Sequence, residues 1–80
     1  MLVVGADEGR VRAALAGAGA DEDVIVLDPA AAALEAARRS FPDPRLWLAI
    51  GDPEVIPLPD GSVDEVVGAV PPAELARIRR

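Results

Sequence analysis

The residues able to do chemistry are few, and they recur at one kind of place. Gly5 and Gly9 bracket a tight turn after the apolar run Met1-Leu2-Val3-Val4. Asp28-Pro29 closes a second apolar run, Val24-Ile25-Val26-Leu27, and Gly51-Asp52 closes a third, Leu46-Trp47-Leu48-Ala49-Ile50. A strand, a glycine turn and a helix N-terminus make a corner suited to nucleotides, because unpaired N–H groups at the helix start point at whatever lies there. The chain has no cysteine, no histidine and no tyrosine. Disulfides, thiolate metal sites and a Ser-His-Asp triad are therefore excluded, and so is the commonest general base. No residue is assigned a catalytic role and no metal ligand set is formed. The pattern is one of binding.

The elements that must position these residues follow from the apolar spacing. Eighty residues make one domain, 1–80, with 51% hydrophobic residues to form its core. Leu2-Val3-Val4 and the two later runs are β-branched or apolar throughout, the signature of strands buried on both faces. Val11, Ala14, Leu15 and Ala18 fall at helical spacing, which predicts a helix over 8–18, with Arg10 and Arg12 facing water. Asp7 and Glu8 sit at its positive end. Asp28 is placed as N-cap of an alanine-rich helix over 29–40, with Pro29 at its first position and Leu34, Ala37 and Phe41 on its buried side. The loop 53–62 is punctuated by Pro57, Pro59 and Asp60-Gly61, and is too short for a crossover helix. Val63 to Val70 is expected as a fourth strand and 72–80 as a last helix. The order β-α-β-α-β-loop-β-α, with no hairpin signal, predicts a parallel sheet.

The bulk numbers limit the partners. Net charge is −6 and all eight basic residues are Arg, a balance that argues against nucleic acid. The pairs at Arg38-Arg39 and Arg79-Arg80, with Arg77, are expected as helix C-termini. No run approaches the roughly twenty apolar residues of a membrane span, and the N-terminus has no signal-peptide pattern. A cytoplasmic chain with no membrane partner is expected.

At four places, in order, the chain resembles the front half of the class I S-adenosylmethionine-dependent methyltransferases, and among them the type 11 domain. The first is Val4-Gly5-Ala6-Asp7-Glu8-Gly9, similar to an apolar strand followed by Gly-x-Gly-x-Gly. The second is Val26-Leu27-Asp28-Pro29, where the family places an acid on the ribose hydroxyls. The third is Gly51-Asp52, where the family's Asp reaches the adenine amino group. The fourth is Ile56-Pro57-Leu58-Pro59-Asp60-Gly61-Ser62-Val63-Asp64, similar to the segment leading into its fourth strand. The resemblance implies an α/β, Rossmann-like three-layer half-sheet. Its four parallel strands would run in order 3-2-1-4, with about three helices.

The resemblance also implies S-adenosylmethionine or S-adenosylhomocysteine as ligand, held by Gly5, Ala6, Asp7, Gly9, Asp28, Pro29, Asp52 and Pro53. Each has a structural alternative. Gly5 and Gly9 serve any strand-to-helix turn, Asp28 serves as a cap, and Asp52 serves as a turn residue. Asp7 stands where the family has its middle glycine, and Val3 stands where it has an acid for the cofactor's amino-acid end. A dinucleotide fits less well, because the middle glycine of that fingerprint is missing and Asp7 and Glu8 would face the pyrophosphate. The matched part is expected as a truncated domain, with weak or no methyl transfer on its own. The alternative is a non-catalytic scaffold that associates with a second copy through an exposed sheet edge or face.

Overall fold

The computed structural model describes residues Met1–Arg80. Seven elements follow in chain order: β1 (Leu2–Val4), α1 (Glu8–Gly17), β2 (Val24–Asp28), α2 (Ala31–Ser40), β3 (Leu46–Ile50), β4 (Val66–Val67) and α3 (Pro72–Ile78). The sheet order is β3-β2-β1-β4, and every pair in it is parallel. The fold is thus the α/β, Rossmann-like half-sheet with the glycine-bearing strand inside it. No helix is long and apolar enough to cross a membrane.

Alternation along the strands supplies two cores. Val3, Val24, Val26 and Leu46 project to one face, under Val11, Ala14 and Leu15 of α1 and Leu34 of α2. Leu2, Val4 and Leu27 project to the other, under Ile56, Val63 and Ile78. Right-handed crossovers put α1 and α2 on the same side. The opposite side is covered by α3 and by the β3–β4 loop, which contributes Ile56 in place of a helix. Fully burying a Val or Leu side chain is worth about 1.5–3 kcal/mol. The central strand Leu2-Val3-Val4, buried at all three positions, is therefore the least replaceable part of the chain.

Local chemistry sets the element ends. The Asp7 carboxylate accepts from the Arg10 backbone N–H (3.0 Å) and caps α1. Arg45 closes the other end of α1. Its Nη2 donates to Leu15 O (3.2 Å) and its Nη1 to Gly19 O (3.0 Å), offering a cation to carbonyls that have no intrahelical partner. Asp43 holds that guanidinium through Nη2 at 2.8 Å. This contact keeps the Asp43 carboxyl at about 2, well below the usual range. Phe41-Pro42 stops α2, because proline cannot supply the next N–H.

Three expectations need correction. The fourth strand is two residues, not 63–70, because Gly68 takes φ +108° and turns the chain out of the sheet. Val63 instead bridges to Arg79 beside α3. Asp28 is not the cap of α2. That helix starts at Ala31 behind Ala30, which makes no side-chain cap bond, and Asp28 is the last residue of β2. Arg10 does not simply face water. It is exposed, but its Nη1 turns back onto Val4 O at 2.6 Å.

Candidate functional site

The carboxyl ends of β3, β2, β1 and β4 form a rim, the place where open α/β sheets bind ligands. At its centre the Gly5 N–H donates to Leu27 O (2.8 Å), carrying the sheet pairing one residue past β1. Gly5 then takes φ +99°, a conformation that favours glycine. The turn delivers Ala6 N–H to the Asp28 side chain, with Oδ2 accepting at 2.8 Å. The other oxygen, Oδ1, accepts from Ala30 N–H at 2.8 Å. One carboxylate therefore ties the glycine turn after β1 to the turn after β2. A carboxylate offers about four lone-pair sites, so each oxygen keeps acceptor capacity for a hydroxyl donor.

The β3 end joins the rim through the backbone. Gly51 N–H donates to Asp28 O (3.3 Å), which sets the Asp52 turn beside the Asp28 turn. Asp52 uses its Oδ1 to accept from Glu54 N–H (2.8 Å), and its backbone bridges to Val55. It remains exposed, with Oδ2 outside that bond. The structure thus joins Ala6 to Asp28 by a direct bond, sets Gly5 beside them through Leu27 O, and brings in Asp52 by adjacency. The Asp7 carboxylate lies on its own helix start, where it accepts from Arg10 N–H. Gly9 belongs to the same first turn, and Pro29 is exposed between Asp28 and Ala30. Val3 is fully buried under α1 and presents nothing to the rim.

A second network fixes the loop that follows Asp52. The Arg77 guanidinium donates Nε and Nη2 to Glu74 (2.7 and 2.9 Å), Nη2 also to Ile56 O (2.8 Å), and Nη1 to Leu58 O (2.8 Å) and Asp60 (2.9 Å). Glu74 Oε2 accepts in turn from Ile56 N–H at 2.9 Å. The paired Arg77 guanidinium, with the Ile56 amide second, lowers the Glu74 carboxyl to about 2. Glu74 and Asp60 push the Arg77 pKa up. The forked geometry of Arg is what lets one side chain hold two carboxylates and two carbonyls. Reading Arg77 only as a helix-end cation missed this. The compact Pro-rich loop opposite it, with no helix of its own to satisfy its carbonyls, was the available signal.

Two further residues of the rim escaped the reading of the sequence, Arg10 and Gly68. An added Cβ at Gly68 would lie 2.6 Å from Val4 O, so the backbone after β4 presses on the end of β1. A glycine inside a valine-rich run, Val66-Val67-Gly68-Ala69-Val70, is the signal for such a close approach. The largest surface concavity, about 500 Å³, lies elsewhere, among Arg12, Leu15, Phe41 and Arg45. It sits where the chain enters β3, at the amino ends of the strands, and none of the surface concavities is lined by Gly5, Ala6, Asp28 or Asp52, so the rim is an open shelf and not a closed pocket.

A family model described as a methyltransferase domain matches residues 2–69. Comparison with curated proteins and comparison with solved structures each return no match. The matched span takes in the whole rim, from β1 through Gly68, and leaves out α3.

Proposed function

The chain belongs to the methyltransferase domain family, and we propose that its rim binds S-adenosylmethionine or S-adenosylhomocysteine. The observation that carries this reading is the Asp28 bridge. The side chain joins the glycine turn to β2 through Ala6 N–H while retaining acceptor capacity on both oxygens for vicinal hydroxyls. In this reading Asp28 takes the ribose, Asp52 and Pro53 flank the adenine, and Gly5, Ala6, Asp7, Gly9 and Pro29 line the approach. When bound, S-adenosylmethionine supplies an electrophilic methyl group on a sulfonium.

The chain's own contribution is positioning. Methyl transfer depends chiefly on holding an acceptor in line with that methyl, and these 80 residues present a shelf for the donor. On their own they are assigned weak or no transfer. Isothermal titration with S-adenosylhomocysteine tests the reading. Saturable binding that Asp28→Ala weakens more than Asp52→Ala supports it, and no binding at millimolar ligand overturns it.

A second reading is favoured by the outer strand. β3 is an edge, and Trp47 and Ile50 on it are 57% and 65% exposed. A second copy pairing along β3 would extend the sheet and flank both side chains, which point to opposite faces, giving a non-catalytic scaffold that self-associates. The net charge of −6 opposes that approach, so association should grow with salt as repulsion is screened. Sedimentation velocity in low and high salt checks this; a strict monomer in both excludes it.

A further inference from the structure

We propose that two copies of the chain pair antiparallel along β3 about a two-fold axis at Ala49, with Leu48 of each copy hydrogen-bonded to Ile50 of the other. The inference rests on the self-association reading above and adds to it a register, a symmetry and the residues that meet. It is independent of the adenosyl reading.

The backbone of β3 decides which groups are available. Val24 N–H donates to Arg45 O (2.8 Å) and Gly51 N–H to Asp28 O (3.3 Å). Backbone groups alternate in direction along a strand, so Arg45, Trp47, Ala49 and Gly51 face β2, while Leu46, Leu48 and Ile50 face the open edge. Leu46 is already engaged. Its N–H donates to Asp43 O (3.0 Å) and its carbonyl accepts from Arg38 Nη2 (2.6 Å). Leu48 and Ile50 are left with N–H and carbonyl groups unpaired on the outer strand of the sheet, an arrangement that invites another strand.

One register uses all of these groups. A two-fold axis brings identical edges together antiparallel, and residue i then meets residue j as j meets i. If Leu48 met Leu48, Ile50 would face the engaged Leu46. If Ile50 met Ile50, Leu48 would face Asp52, which has left the strand for its own turn and whose carbonyl already accepts from Val55 N–H (3.0 Å). With Leu48 opposite Ile50, each pair exchanges both of its N–H···O bonds, and every free group of both edges is paired.

The side chains agree with that register. On the α2 face, exposed Ile50 comes beside Leu48 of the second copy, along the groove bordered by Leu34 and Arg38. On the other face, exposed Trp47 stands across from Gly51 of the second copy and diagonal to its Ala49, so small residues meet the large indole. Charge agrees as well. Arg38 and Arg39 have no carboxylate partner within their own chain. The register sets Leu46, whose carbonyl Arg38 holds, opposite Asp52 of the second copy. Each edge thus carries cations at one end and an acid at the other, and the two-fold axis matches them twice.

The chain has no cysteine, so single cysteines report the axis directly. Leu48→Cys, Ala49→Cys and Ile50→Cys are each equilibrated with oxidised and reduced glutathione, and the disulfide-linked dimer is followed with time. Ala16→Cys, exposed on α1, serves as the collisional control. Across the axis Ala49 faces its own counterpart at a Cα–Cα separation of about 4.5 Å, within disulfide reach, whereas Leu48 and Ile50 each lie about 8 Å from theirs, beyond it. Ala49→Cys should therefore link at least about tenfold faster than the other three. The wild-type chain should associate reversibly at roughly 100 μM, as suits a small interface, and Ile50→Lys, at an exposed position, should abolish that association in sedimentation velocity. Fastest linkage at Leu48→Cys or Ile50→Cys overturns the register and leaves self-association along β3 standing. A reversible dimer that Ile50→Lys does not weaken, or that none of the strand cysteines links faster than Ala16→Cys, puts the contact elsewhere and overturns pairing along β3. A wild type that stays monomeric in low and high salt leaves the edge to a strand of another protein, and both readings fail.

Discussion

Asp28→Ala should be among the most damaging single changes outside the core, and its cost can be worked from two bonds. The carboxylate accepts from Ala6 N–H and from Ala30 N–H, each at 2.8 Å. The first donor is partly buried, and a charge-assisted bond of that kind is worth about 1.5–3 kcal/mol. The second is exposed, and water replaces it at a cost of about 0.5 kcal/mol. The sum is about 2–3 kcal/mol, against a total stability of about 4–12 kcal/mol for a domain of this length. At about 4–8 °C per kcal/mol for so small a domain, the melting temperature should fall by about 10–20 °C. Asp28→Asn keeps one acceptor oxygen and should lose about half as much. Asp52→Ala serves as the control. Its carboxylate serves an exposed amide of its own turn, and its removal should cost under about 1 kcal/mol. Thermal unfolding followed by circular dichroism, with Trp47 fluorescence as a second probe, reads all three. A melting temperature for Asp28→Ala no lower than that of the control would show that the bridge stabilises nothing and that Asp28 is free to serve only a ligand.

Gly68→Ala should destabilise by about 3 kcal/mol or more. It forces a side chain into positive φ, which costs about 1–2 kcal/mol, and its Cβ would lie 2.6 Å from Val4 O; urea unfolding should show the midpoint fall at unchanged slope. Acid should weaken the Arg77 clamp with a defined sign. Glu74 is held at about 2 when folded, from 4.5, so its contribution is complete above about pH 5 and fades as pH falls toward 2. Glu74→Gln should accordingly flatten the acid limb of a melting-temperature profile between pH 5 and pH 2, and an unaltered limb would contradict the clamp. Asp43 is lowered likewise by Arg45, so Asp43→Asn should remove a further part of the same acid sensitivity, read in the same scan.

The layers and the order of elements were legible because burial is periodic here. Strands such as Leu2-Val3-Val4 can be nothing else, and Val11, Ala14 and Leu15 emerge on one face as their spacing requires. The glycine turn and the acid after β2 were legible as a pair from the motif they resemble. What was not legible was which partner each polar group would choose. Asp28-Pro29-Ala30 has the composition of a helix start, yet the carboxylate goes to Ala6, more than twenty residues away, because the sheet brings β1 beside β2. Arg45 and Arg77 look like surface cations in the chain. Each becomes the hub of a network only when a helix end or a proline-rich loop with unsatisfied carbonyls is folded against it. The shortening of β4 has the same origin. The valines around Gly68 promise a strand, and the backbone angle of one residue ends it.

The sheet order also has a kinetic side. Leu2 pairs with Ile25 on one flank and with Val66 on the other, so the two flanks close loops of very different length. The longer closure costs about 1 kcal/mol more in chain entropy and gains only the two-residue strand β4. Assembly should therefore proceed from β3-β2-β1 with its two helices, and the β1–β4 seam should zip last and breathe first. Amide exchange would register this as faster exchange at Leu2, whose N–H is held by Glu65 O, than at Val26 in the interior of β2. The β1–β4 side of the rim is thus the side at which local opening is expected first.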